Sequence, residues 1–322
     1  METMTDDVVD QVYQVSTPAE LSLNTISGQA TVRATETDEI RVRATKGGSD
    51  RARGNTRIDV QREGNRVSIH TRADSSLFGG AGHLGRNMAS VEYDITVPRD
   101  CAVEIKAVSA DITLEGTRSQ CRLQTVSGDV HIEDIEGASS VTTVSGDVAA
   151  TGLRGTLTLH TTSGDARVAE SNLRDFNLHS VSGDFEVATP LMHGEHYHAN
   201  TVSGDLRLTV PEGTGVTVQM RSISGEVVSD FRDAEIIKSG RRHWQGRING
   251  GGANVEMQSV SGDLRIARGS AGDSTPPTQE YPGERRSVEI QSDAEAAGVL
   301  SLLEQGEIDV DEALSRLKSL ER

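Results

Sequence analysis

Two sets of side chains in this sequence have types and spacing that could do chemistry. Asp129, Asp147, Asp165, Asp184 and Asp205 each follow a Ser-Gly pair at nearly constant intervals. If the segments that carry them stack in register, their carboxylates lie about 4.8 Å apart. Like charges that close repel unless each is hydrogen-bonded in its own turn or a cation sits between them. The column therefore reads first as turn-capping aspartates and second as a weak Ca2+-type ladder. The second set is His193, His196 and His198, which fall within six residues, with His179 and His160 upstream. Neutral imidazoles are good ligands for Zn2+ and other transition metals. However, His160, His179 and Asn200 each stand three residues before a repeated serine, in a column that reads as an outward-facing histidine stripe. Both sets are weak metal candidates, and the sequence assigns no metal, cofactor or catalytic residue.

The repeated serines flank glycines in turns, without the strand-to-helix elbow that exposes a hydrolase nucleophile. Cys101 and Cys121 form no metal-ligand pattern and no disulfide framework, and both read as small buried hydrophobes. Gly79, Gly80, Gly82 and Gly85 are not followed by the Lys-Ser or Lys-Thr of a phosphate-binding loop.

What must position these side chains is an internal repeat. Ser-Gly-Asp recurs at serines 127, 145, 163, 182, 203 and 261, with variants at Ser27-Gly28-Gln29, Ser109-Ala110-Asp111 and Ser224-Gly225-Glu226. From Ser109 the steps are 18, 18, 18, 19, 21 and 21, then 37, about two units. Apolar residues hold the positions four before, three after and five after the serine, as in Leu159, Ala166 and Val168 around Ser163. Apolar residues two apart with a polar one between are the mark of a strand with one face buried. Each unit reads as a strand, a glycine turn, a second short strand and a corner. A unit of about 18 residues cannot bury its own apolar face, so units must stack, and equal columns at equal spacing favour parallel stacking. A Thr/Ser column two before the serine (Thr125, Thr143, Thr161, Ser180) and an apolar column just before it (Val126, Val144, Val181) are left open. Strict alternation puts one of them inside and the other outside, whereas a bend at the turn would let both contribute to the core.

Composition agrees with a thin, regular core. The chain has 322 residues, is 34% hydrophobic and only 3% aromatic, so its core must be built from Val, Ile, Leu and Thr. A net charge of −17 argues against nucleic acid, which needs a clustered Lys/Arg footprint. Arg241, Arg242 and Arg247 beside Trp244 read as a solvated loop. No apolar run approaches the roughly 18 to 20 residues of a membrane helix, so direct membrane insertion is not expected. The first residues lack the basic start and apolar stretch of a signal peptide. That reading places the chain in the cytoplasm, with the cell envelope as the alternative.

The expected organisation is all-β. Residues 1–11 form an N-terminal tail, and residues 12–268 form a parallel β-solenoid with coils of about 18–21 residues and an irregular, capping first third. Loop insertions fall at about 74–90 and 231–252. Residues 269–286 read as a linker, rich in Gly, Ser and Pro. Residues 287–322 read as a helical hairpin: Ser292 with Glu295 and Asp309 with Glu312 have capping-box spacing, and Leu302, Leu303, Leu314 and Leu317 mark apolar faces. Two helices this short bury too little surface to stand alone.

The stacked Ser-Gly-Asp strands and the lead-in Val91-Glu92-Tyr93-Asp94-Ile95-Thr96-Val97-Pro98 resemble the bacterial and archaeal putative-adhesin family of β-strand-repeat proteins, a domain-of-unknown-function group. The resemblance runs from about Leu21 to Ala267. The tail, Leu302 to Leu314, is similar to a short helical-hairpin module often attached to that family. The resemblance implies a parallel β-solenoid with an adhesion or scaffolding role and brings no catalytic residues with it. The reading is thus a non-enzymatic scaffold or adhesin-like protein that acts through a protein partner or through self-association by the C-terminal hairpin as a homo-oligomer. The alternatives are a cation-binding surface adhesin and a carbohydrate-active β-helix enzyme.

Overall fold

In the computed structural model, residues 2–4, 7–73, 88–239 and 242–269 are described. The expected hairpin and most of the expected linker and first loop insertion lie outside them. The described chain is built from 24 strands and one short helix, Asp50–Gly54.

The middle of the molecule repeats one device. A strand such as Glu136–Ser145 meets a glycine turn, a four-residue strand Val148–Thr151 follows, and a corner at Gly152 and Leu153 leads into Arg154–Ser163. Each strand pairs in parallel with its counterpart one coil away, with Ser145 beside Ser163 and Val148 beside Ala166. Alternation then sends every second side chain inward. Val141, Leu159 and Leu178 form one buried file, and Val148, Ala166 and Phe185 another. Val148 and Leu159 are inside, as the period-two pattern requires. Coils approach so closely at the turns that a Cβ on Gly146 would lie 2.2 Å from the carbonyl oxygen of Gly128. Only glycine fits there.

The two columns that the sequence leaves open are also resolved. Thr125, Thr143, Thr161, Ser180 and Thr201 point inward and are buried. The apolar column before the serine faces outward. Val202 and Val260 are each 46% exposed and Ile223 is 55% exposed, although Val108 and Val126 at the other end of the stack are buried.

The ends depart from simple repetition. The first third is an antiparallel cap on a parallel stack. Arg66–Ala73 and Val91–Pro98 lie parallel to the two halves of Ala19–Thr35. Thr56–Glu63 and Glu39–Lys46 pair antiparallel to them, and Val8–Gln14 pairs with Glu39–Lys46. Part of the segment expected as an N-terminal tail is therefore strand: Glu2–Met4 pairs with Thr56–Glu63, and Val8–Gln14 begins at residue 8.

At the other end the chain leapfrogs. The last coil, Ala253–Ser261 with Leu264–Arg268, pairs with His196–Ser203 and Leu206–Val210 on one side and with Val216–Ser224 and Val227–Ser229 on the other. In space the serines run 203, 261, 224. The 37-residue step seen in the sequence is a detour: Glu235–Lys238 and His243–Ile248 form a hairpin, antiparallel to the outer side of Val216–Ser224. From there the chain returns to fill the gap behind that strand.

Candidate functional site

The repeated turns line up along one edge of the stack. At each turn the backbone ladder continues on both sides, for example Val130 N–H to the Asp147 carbonyl and Gly146 N–H to the Ser163 carbonyl. The aspartate amide between them has no carbonyl opposite, and a carboxylate from the preceding coil accepts it instead. Asp129 N–H donates to Asp111 Oδ1 at 3.0 Å, Asp147 to Asp129 at 3.0 Å, Asp165 to Asp147 at 2.9 Å and Asp184 to Asp165 at 2.8 Å. The series continues from Asp205 to Asp184, Asp263 to Asp205 and Glu226 to Asp263, each at 2.8 Å. Aspartate suits the position because its carboxylate reaches one strand spacing and no further. Glu226 stands on the last rung, where no further amide waits to be accepted.

Beyond the five-residue column the ladder takes in two further aspartates, Asp111 and Asp263, and ends on Glu226. The Ser-Ala-Asp variant at Ser109 and the Ser-Gly-Asp at Ser261 were the signals that include them. Asp184 has its pKa raised, first by desolvation and then by the charges of Asp205 and Asp165, against the lowering effect of the Asp205 amide.

Toward the C-terminal end the turns of Asp165, Asp184, Asp205, Asp263 and Glu226 line an open groove of about 850 Å3. Trp244 closes one side. Its indole N–H donates to the Gly225 carbonyl at 3.2 Å, and Lys238 Nζ lies 4.7 Å from its ring centroid. The groove holds an acidic floor and one aromatic wall, contributed by the hairpin rather than by the repeat.

The histidines occupy the outer face of the longer strands. His160 and His179 are in register on neighbouring strands, with ring centroids 4.7 Å apart and planes at 7°. His196 and His198 stack along one strand at 6.1 Å, and His198 Nδ1 lies 3.6 Å from Glu256 Oε2. His193 stands in the corner before that strand, beside Gly252. Among the described residues no three His, Cys, Asp or Glu side chains converge on a common metal position. The trio close in sequence is thus split between a corner and a strand.

Both cysteines are buried and unpaired. Burial pushes the Cys101 thiol up to about 12 and raises that of Cys121. Thiols held this firmly protonated are poor nucleophiles.

No curated protein matches the chain. Among solved structures it is similar to a "putative adhesin" from Bacteroides fragilis NCTC 9343, at 14% identity over 81% of this chain and 96% of that one, TM-score 0.45. It is also similar to a "putative lipid binding protein" from Parabacteroides distasonis ATCC 8503, at 12% identity over 82% and 97%, TM-score 0.45. A "putative cell adhesion protein" from Clostridium sporogenes ATCC 15579 matches at 13% identity over 81% and 100%, TM-score 0.28. The model of one family, Toastrack DUF4097, matches residues 19–267, from the first strand of the parallel stack to the last, and the chain belongs to that family.

Proposed function

We propose that this protein is a non-enzymatic scaffold that works by presenting the faces of a rigid stack to protein partners, including further copies of itself. One observation carries the reading. On the outer face, Val202, Val260 and Ile223 stand in register on three adjacent strands as a half-exposed apolar row. Contiguous apolar surface of this kind marks contact sites more often than it marks catalysis. The repeated motif supports the same reading, since its glycines and aspartates are spent on holding coils together. The repeated serines flank those turns with no imidazole in the ladder to activate them. We place self-association with the segment 287–322 on its sequence alone, in which Leu302, Leu303, Leu314 and Leu317 recur at helical spacing.

Size-exclusion chromatography with light scattering on the full chain tests this, run with Ca2+ and with chelator. A concentration-dependent oligomer that is weakened in V202D/V260D/I223D, regardless of Ca2+, supports the scaffold. A monomer at all concentrations, or compaction only with Ca2+, replaces it with the cation-binding adhesin.

A further inference from the structure

We propose that the C-terminal segment 287–322 docks on the outward row of Val202, Val260 and Ile223 of its own chain and covers it. The inference rests on the reading above that this row is a contact surface. The row has neighbours that extend it. Carried outward across Val216–Ser224 and His243–Ile248, the register sets Gln245 opposite both Gln219 and Ile237. Alternation therefore turns Ile237 to the same face as Ile223. At 68% exposure, Ile237 is the most exposed large apolar side chain among the described residues. Arg221 and Arg247 share that face, and both are exposed.

Charge, position and length select this occupant. Residues 231–248, which contain the hairpin beside the row, carry five Lys and Arg against two acids, in a chain whose net charge is −17. Segment 287–322 carries nine acids against three Lys and Arg. Its leucines offer an apolar stripe and its carboxylates a match for the basic hairpin. The chain leaves the described stack at Gly269, directly after Leu264–Arg268, in the same coil as Val260. Arg268 lies eight residues after Val260, a path of at most about 26 Å in extended chain. A flexible chain as long as residues 269–286 has a root-mean-square span of roughly 21–25 Å. The two lengths match, and a tether of that reach holds a segment over its own row at an effective concentration of about 1 mM. The same contact made between two copies is a swap that joins them, which is how it connects to self-association.

The test is photo-crosslinking in the full chain. V260C is labelled with a benzophenone maleimide, which spares Cys101 and Cys121 because both are buried. Isotope-labelled and unlabelled protein are mixed in equal amounts at about 1 µM, far below the effective concentration of the tether. The expected cross-links run from position 260 to peptides of segment 287–322, with both ends from the same isotopic pool. Their yield should fall about tenfold in L314D/L317D, which puts carboxylates into the apolar contact, and should fall also in R221E/R247E, which reverses the charge beside it. Cross-links that join the two pools show docking between copies and overturn the same-chain contact, while the scaffold reading stands. Cross-links only to residues outside 287–322, or a yield unchanged in both variants, overturn it as well. Same-pool cross-links in a chain that stays monomeric at every concentration keep the contact and remove the scaffold reading instead.

Discussion

The amide of Glu226 donates to a carboxylate oxygen of Asp263, 37 residues later in the chain, at 2.8 Å. Asp263 in turn donates its own amide to Asp205, 58 residues earlier, at 2.8 Å. The same side-chain device that joins successive coils therefore also joins coils that are out of chain order. A rung is recognised by its turn, not by its place in the sequence.

Removing one carboxylate separates its two roles. Asp147→Ala deletes the acceptor for the Asp165 amide, which lies at the surface and can turn to water. The expected cost is about 1 kcal/mol in chemical denaturation. Asp147→Asn keeps an acceptor oxygen and removes one of a row of like charges, so it should be at least as stable as wild type. Equal losses in both variants would show that the charge itself is needed.

The ladder also sets a pH dependence. The native pKa of Asp184 is raised above its ordinary value of 3.8. An acid with a raised native pKa holds its proton more tightly folded than unfolded, so its contribution favours the fold at low pH and is lost as pH rises through the native pKa. Asp184→Asn should therefore gain stability relative to wild type on going from pH 3.5 to pH 7. Melting temperatures of both proteins across that range check the sign.

Leu159 lies between Val141 and Leu178 in a file with no solvent access. Leu159→Ala should cost about 2–5 kcal/mol, and Leu159→Asp, which buries an unpaired charge, should unfold several coils. Loss of the β signal in circular dichroism at room temperature is the readout for the second.

The hydroxyl of Thr161 is buried and makes no hydrogen bond to a protein group. Thr161→Val replaces it with a methyl group of the same shape and should stabilise the stack by roughly 1 kcal/mol. A destabilised variant, measured by urea denaturation, would mean that water occupies the interior file.

How much of this was legible in the sequence depends on whether one coil contains the answer. The inward files of Val148 and Leu159 and the parallel register follow from the period of two and the repeated turn. The register of His160 with His179 follows from equal distance to the serine. The inward Thr161 did not follow, because threonine and valine fill similar volumes and the strand phase resets at the glycine. The leapfrog did not follow either, since Ser224 and Ser261 head turns of the same pattern and only pairing distinguishes their order. Glu226 carried the one hint, a longer acid where the ladder ends. The groove wall was invisible for a different reason: Trp244 comes from a hairpin outside the repeat.

The intercalated last coil bears on how the chain reaches its shape. As synthesis proceeds, Val216–Ser224 emerges before Ala253–Ser261, the strand that finally lies between it and His196–Ser203 and shares their column of serines. Any pairing of Val216–Ser224 with His196–Ser203 made before residue 253 emerges would have to open before the final coil could enter. The last strands act as a keystone that arrives late. Lengthening this protein by duplicating a coil is straightforward between Cys101 and Val210, where order in sequence and order in space agree, and is obstructed at the two ends, where they do not.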